Sequence, residues 1–204
     1  MNKKHLLYYE IIDSFKEKEG RNNNLNIIRK IDYRIVWIVN KKYHNPILDY
    51  IMDVWTNYLW FIFLLLLVVG VLLYVDRKKF WVNFSFAVYS VLLGSLVVYC
   101  LKQGIGRLRP LSIFSNRVNI FTEKLYLCSF PSGHTQLAFS VATYLSYKLK
   151  KFCWVFFLIA VFTGISRIYV GSHFPIDVLT GAIIGVSGSL LIIKWQESKG
   201  ISNQ

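Results

Sequence analysis

Residues Ser166 to Asp177 read SRIYVGSHFPID and lie between two apolar runs, Phe152 to Ile165 and Val178 to Ile193. An arginine, a histidine and an aspartate are costly at the edge of hydrocarbon, and ionisable residues placed there mark a site, a pathway or a pair. His173 and Asp177 are four apart with Pro175 between them, which suits a proline in the first turn of a helix that continues through VLTGAIIGVSGSLLII. That geometry turns Asp177 back toward His173. A carboxylate on one ring nitrogen would fix the tautomer and leave the other nitrogen to attack or to carry a proton. The plainer alternative is that the two residues only cap a transmembrane helix.

Composition decides what surrounds this stretch. Of the 204 residues 54% are hydrophobic and 17% aromatic, too apolar for an ordinary soluble domain and suited to an integral membrane protein. The net charge of +13 does not imply nucleic acid, because no nucleic-acid module is recognisable and the charges fall mostly between apolar runs. Anionic lipid headgroups or phosphates are the expected partners. Cys100, Cys128 and Cys153 have no metal-type spacing and suggest no disulfide framework.

In chain order, residues 1 to 30 are polar and lack the apolar stretch of a secretory signal. From Ile31 to Tyr58 apolar and charged residues mix, rich in Trp and Tyr, and Asn45-Pro46 breaks any single helix. Two short amphipathic helices in the membrane interface fit this pattern. Leu59 to Val75 is an uncharged run, followed by the charged turn Asp76 to Lys79 and a second uncharged run, Trp81 to Leu101. The basic string KQGIGRLRP and a loop to Phe130 come next. PSGHTQLAFSVATYLSY opens a third, less apolar span ending near Lys148, Lys150 and Lys151. Phe152 to Ile165 and Val178 to Ile193 complete the set. The expected fold is all-α: an integral membrane helical bundle with about five transmembrane helices and an N-terminal interfacial amphipathic segment. The boundaries are a tail and interfacial helices over 1–58, a transmembrane domain over 59–195 and a polar tail over 196–204.

Five spans impose a parity. The end of span two, the start of span three, the end of span four and the start of span five all emerge on one face. Lys102, Arg107, Arg109, Ser132, His134, Arg167, His173 and Asp177 are therefore expected together, and convergent polar groups in a membrane cavity indicate function. Lys102, Arg109 and Arg167 are cations without comparable acidic partners, and arginine matches phosphate oxygens with a planar fork of donors. Pro131-Ser132-Gly133-His134 opens a helix whose first N–H groups suit the same anion, with Gly133 allowing close approach. Phosphoryl transfer needs charge neutralisation, a nucleophile and a proton for the leaving oxygen. His173, oriented by Asp177, suits attack, and His134 suits general acid work. Plainer readings stand beside these: Lys102 and Arg109 as snorkelling cations at a span end, Arg107 as another with no motif behind it, and Ser132 as a helix cap. Gly104 and Gly106 are a poor phosphate loop because no strand precedes them. His5 and His44 read as surface histidines. No metal and no other cofactor is expected, since no ligand cluster has zinc-type spacing.

The strings KQGIGRLRP (Lys102 to Pro110), PSGH (Pro131 to His134) and SRIYVGSHFPID together resemble the three-part signature of the type 2 phosphatidic acid phosphatases, K-x6-RP, PSGH and SR-x5-H-x3-D, complete and in order. The resemblance covers roughly Trp60 to Ile193. It implies a helical membrane fold and metal-independent hydrolysis of a phosphate ester or anhydride through a phosphohistidine. Lys102, Arg109 and Arg167 would bind phosphate with Ser132 and the backbone of Gly133; His134 would protonate the leaving group; His173 would attack with Asp177 behind it. Many members have six spans, and here the first is not expected, because residues 1 to 30 are too polar to cross. The substrate expected first is undecaprenyl diphosphate, with phosphatidylglycerophosphate and phosphatidic acid next. A lipid phosphotransferase uses the same intermediate, and a small anion transporter is the alternative outside the enzymes. Lys and Arg close to span ends are dense in the loops opposite the site, which places the site on the extracytoplasmic face of the cell membrane. Against this, the first 58 residues carry ten Lys or Arg.

Overall fold

The computed structural model describes residues 27–42, 45–56, 58–110 and 128–201. The polar start of the chain with His5, the residue His44, the loop 111–127 and the residues after 201 lie outside the described residues. Seven α-helices make up the described chain: α1 (Ile27–Lys42), α2 (Pro46–Thr56), α3 (Tyr58–Val75), α4 (Phe80–Ile105), α5 (Gly133–Lys148), α6 (Cys153–Tyr169) and α7 (Pro175–Ser198). A 3-10 turn at Lys150–Phe152 joins α5 to α6. The fold is all-helical, as the sequence implies.

The helix limits follow from local chemistry. The side chain of Asp76 accepts the N–H groups of Lys78 (2.8 Å) and Lys79 (3.1 Å), which folds the charged turn tightly between α3 and α4. α4 runs past the uncharged stretch to carry Lys102, then stops at Gly106, whose φ of 55° is left-handed and whose N–H returns to the Lys102 carbonyl. This glycine is a helix terminator, and it sends Arg107 to Pro110 back across the end of the bundle. Pro175 opens α7 at a position where its missing N–H costs nothing. α2 likewise begins at Pro46, with Asn45 Oδ1 accepting the Ile47 N–H.

α4, α6 with its preceding turn, and α7 are each long and apolar enough to cross a membrane, and α2 with α3 forms a further pair bent by 59° that passes the same test jointly. α5 has 16 residues and is less apolar because it is the hub: it packs against α3, α4, α6 and α7, so most of its surface meets protein instead of lipid. This seat lets it carry Ser, Thr and Gln. Small residues bring α7 close. A Cβ at Gly185 would stand 2.4 Å from the Gln136 carbonyl oxygen, and one at Gly181 would stand 2.4 Å from that of Ser132. The close approach fixes the start of α5 against the start of α7, and both starts carry the site. α1 and α2 are the two short helices expected before the bundle; α1 exposes Ile27, Ile31, Ile35 and Trp37, and α2 exposes Ile47, Tyr50 and Ile51.

Candidate active site

The loop from α6 to α7 is folded on one carbonyl. The N–H groups of Ser172 and His173 both donate to the Arg167 oxygen (3.1 and 3.2 Å), a hairpin that Gly171 permits with φ of 66°. His173, 2% exposed, is thereby held under the start of α7. Its Nδ1 is 2.7 Å from the Ser129 carbonyl oxygen and 3.8 Å from Asp177 Oδ2. The hydrogen bond expected between His173 and Asp177 is therefore made to Ser129 instead. The reason is that the carboxylate is already committed: Oδ1 accepts from Arg107 Nη1 at 2.7 Å, and Oδ2 accepts the Phe174 N–H at 2.9 Å and the Ser129 hydroxyl. The tautomer is fixed all the same, because a carbonyl can only accept. Nδ1 must carry the proton and Nε2 the lone pair. Burial, helped by the fields of Arg109 and Arg167 and opposed by Asp177, pushes the His173 imidazole down to about 3, so the ring is neutral at ordinary pH.

The start of α5 faces the same point. Ser132 is its N-cap: Oγ accepts the Thr135 N–H (3.4 Å) and hydroxyl (2.9 Å), while the Ser132 N–H donates to the Asp177 carbonyl (3.0 Å). The capping alternative for Ser132 is thus filled, and its backbone N–H is spent on α7. The N–H groups of Gly133 and His134 occupy the first turn, where helix geometry provides no partner. The His134 ring packs against Trp60 and Phe61 of α3, with ring centres 5.5 and 5.1 Å away, and it interacts electrostatically with Arg167, His173, Arg109 and Lys102.

The three motif cations behave unlike ordinary snorkelling residues. Arg109 and Arg167 are 6% and 7% exposed, and each buries an Nε–H with no hydrogen-bond partner among the described residues. Such donors are costly unless an acceptor enters from outside. Burial also pushes the Arg109 guanidinium below its ordinary value, against the opposing pull of Asp177. Lys102 is half-buried and donates to the Cys128 carbonyl at 3.0 Å. The structure thus brings Lys102, Arg109, Ser132, Gly133, His134, Arg167, His173 and Asp177 to one end of the bundle. Among the described residues no group of three His, Cys, Asp or Glu side chains is placed to hold a metal.

Arg107 is a correction. It is no idle cation at a span end: it bridges Asp177 and Asp32 at 2.7 Å each and lies 4.1 Å from the centre of the Phe174 ring. Asp32 and Ser129 were not singled out in the sequence. Ser129 contributes a backbone oxygen, which has no side-chain signature. Asp32 had one faint signal, an acid in a helix whose neighbours Ile31 and Ile35 are apolar.

A model of the PAP2 superfamily matches residues 83–201, well over half of the chain, and the chain belongs to that superfamily. The bacitracin transport permease protein BcrC of Bacillus licheniformis is 38% identical over 91 residues, which cover 45% of this chain and 44% of that protein. The undecaprenyl-diphosphatase BcrC of Bacillus subtilis is 26% identical over 156 residues, 76% of this chain and 78% of that one. The chain thus spans less than half of the first relative and about three quarters of the second. The crystal structure of Aquifex aeolicus LpxE superposes with a TM-score of 0.65 at 29% identity, covering 80% of this chain and 95% of that one. The chain is therefore a helical membrane protein of PAP2 type.

Proposed function

We propose that this protein is a membrane lipid phosphatase that removes a phosphate or diphosphate from a lipid headgroup through a phosphohistidine, with undecaprenyl diphosphate the first substrate to test. The observation that carries the reading is the pair of buried Nε–H groups on Arg109 and Arg167, unpartnered among the described residues, beside His173, whose Nδ1 is held by the Ser129 carbonyl and whose Nε2 therefore holds the lone pair. Two guanidinium donors, Lys102 and the first N–H groups of α5 suit the three equatorial oxygens of a transferring phosphoryl group.

In the proposed cycle His173 Nε2 attacks phosphorus, and the bond to the leaving oxygen breaks as protonated His134 gives that oxygen a proton. The incoming phosphate brings negative charge that favours a proton on His134 against burial and the surrounding cations. Asp177 and the Ser129 carbonyl steady the ring as it becomes positive. His134, now neutral, takes a proton from water, whose oxygen attacks the phosphohistidine and releases inorganic phosphate and free His173. The rings of Trp60 and Phe61 keep His134 aimed from the α3 side.

Support for substrate and side comes from different places. The Bacillus subtilis relative is named an undecaprenyl-diphosphatase, and the basic turns 76–79 and 148–151 lie at the end away from the site, which suits an extracytoplasmic site in the cell membrane. A phosphotransferase would share every step except the acceptor in the last one, and product analysis separates the two. Purified protein in detergent with EDTA, offered undecaprenyl diphosphate, phosphatidylglycerophosphate and phosphatidic acid, is expected to release inorganic phosphate from at least one of them at an unchanged rate with and without chelator. A strict Mg²⁺ requirement, or no release from any of the three, would overturn the proposal.

A further inference from the structure

Arg107 lies against the carboxylate behind the reacting ring, and Asp32 lies against Arg107. Arg107 controls Ser129 from two sides. Its own carbonyl accepts the Ser129 N–H at 2.8 Å, and its guanidinium grips Asp177, whose Oδ2 accepts the Ser129 hydroxyl. The Ser129 carbonyl is in turn the acceptor that fixes His173 Nδ1. Any drift of Arg107 therefore shifts the acceptor and the carboxylate together.

Asp32 keeps Arg107 from drifting. Beside three cations that must face phosphate, a fourth cation is drawn toward the same anion unless something holds it back. Asp32 does so with Oδ2 on Arg107 Nη2 at 2.7 Å, while its Oδ1 accepts the Ile176 N–H at 3.1 Å. The second bond supplies the acceptor that α7 lacks, since its N-cap Phe174 has no side-chain oxygen. The Phe174 ring touches both the Arg107 guanidinium and the ring of Tyr33 from α1, 5.2 Å away. Asp32 is 2% exposed and Val36, one turn on, is 1% exposed, so this face of α1 is turned to the protein while Ile31 and Ile35 face outward.

Resting on the phosphohistidine reading above, we propose that Asp32 and Arg107 are positioning residues for the nucleophile: Asp32 holds Arg107 on Asp177, and through Asp177 and Ser129 that grip sets the His173 ring for attack. α1 thereby completes the catalytic assembly from outside residues 83–201, the region the superfamily model covers.

The test uses the full-length protein in detergent and a lipid phosphate that the wild type hydrolyses; failure to find one would sink the phosphatase reading and this proposal with it, whereas the variants below bear on this proposal alone. Asp32→Asn is expected to lower kcat roughly 10- to 100-fold with KM changed less than about threefold and the gel-filtration profile kept. Asp32→Glu should recover part of the loss. Because Asp32 acts through Arg107, Asp32→Asn with Arg107→Gln should be no slower than Arg107→Gln alone. Wild-type kcat in a folded Asp32→Asn protein would overturn the assignment. So would an effect confined to KM, which would make the pair a substrate contact, or multiplicative losses in the double variant, which would reduce Asp32 to a helix cap. Should Asp32→Asn and Arg107→Gln fail to fold, Arg107→Lys decides: its single ammonium cannot span both carboxylates as the fork does, so kcat should drop at unchanged KM, and wild-type kcat would overturn the proposal.

Discussion

At the far end of α7 from the site, Gln196 is as buried as anything near His173, and its hydrogen bonds all close within the protein. Its Oε1 accepts from the Tyr144 hydroxyl at 3.0 Å, and its Nε2 donates to Asn83 Oδ1 at 3.2 Å and to the Ile201 carbonyl at 3.1 Å. At the near end Arg109 and Arg167 each leave an Nε–H unmatched among the described residues. Both ends are polar and buried, and the far end also leaves the Ser146 hydroxyl unmatched among the described residues, but the charged donors to spare are at the near end. A polar group that finds its partners inside the chain stabilises the fold, whereas one without partners is costly to the fold and addresses a ligand. The buried, unmatched guanidinium donors separate site from scaffold without reference to motif, and substitutions at the two ends should show it.

The largest effect belongs to His173. His173→Ala removes the only Nε2 lone pair in the proposed attacking position, and turnover should fall on the order of 10⁴-fold or more with the protein still folded. Orthovanadate, which adopts the trigonal-bipyramidal shape of phosphoryl transfer, should compete with substrate and bind the wild type more tightly than inorganic phosphate does. That advantage should vanish in His173→Ala, since the axial position is lost while the cations remain. Equal vanadate affinity in the two proteins would count against attack by His173.

Next comes Arg167. Replacing it with lysine keeps the positive charge but removes the buried Nε–H and the fork, and kcat/KM should drop roughly 10²- to 10³-fold, about 3–4 kcal/mol of transition-state stabilisation. Inorganic phosphate should also inhibit less well. A near-normal kcat/KM in Arg167→Lys would mean that the buried donor meets no phosphate oxygen, and the contrast between the two ends would lose its meaning.

How much of this was legible beforehand depended on whether a feature is carried by residue type or by placement. The helices from 58 to 198 follow apolar runs bounded by Asp76, Gly106, Lys148 and Pro175, and each boundary has a local cause. The motif residues Lys102, Arg109, Ser132, His134, Arg167, His173 and Asp177 could be gathered by counting spans, because parity alone puts them on one face. The support beneath them could not. Arg107 looks like any cation near a membrane surface until Asp32, 75 residues earlier, is seen against it. Asp32 also inverts the usual rule for an amphipathic helix: Ile31 and Ile35 are exposed and the acid is buried. When lipid lies on the outside, an apolar face no longer says which way is in, so the pattern locates the helix but not the side it turns to the protein. The bond from His173 to the Ser129 carbonyl was equally invisible, since a backbone acceptor leaves no mark on composition.

The smallest expected effect is at Gln196, and it is the sharpest check on the scaffold half of the comparison. Gln196→Leu has a similar volume and removes both donors and the acceptor at once, leaving Asn83 Oδ1, the Tyr144 hydroxyl and the Ile201 carbonyl without that partner. In water-soluble cores such a loss costs about 1–3 kcal/mol. Hydrogen bonds between membrane helices average nearer ~0.6 kcal/mol, because the separated helices find other partners. Gln196 lies in the last turn of α7, close to solvent, so a loss of about 1 kcal/mol is expected, seen as a small fall in the denaturation midpoint. kcat and KM should stay within about twofold of wild type, because a helix of 24 residues is roughly 36 Å long and the site is at its other end. A large change in kcat at normal stability would show that the two ends are coupled along α7, and that the satisfied network is part of the machinery.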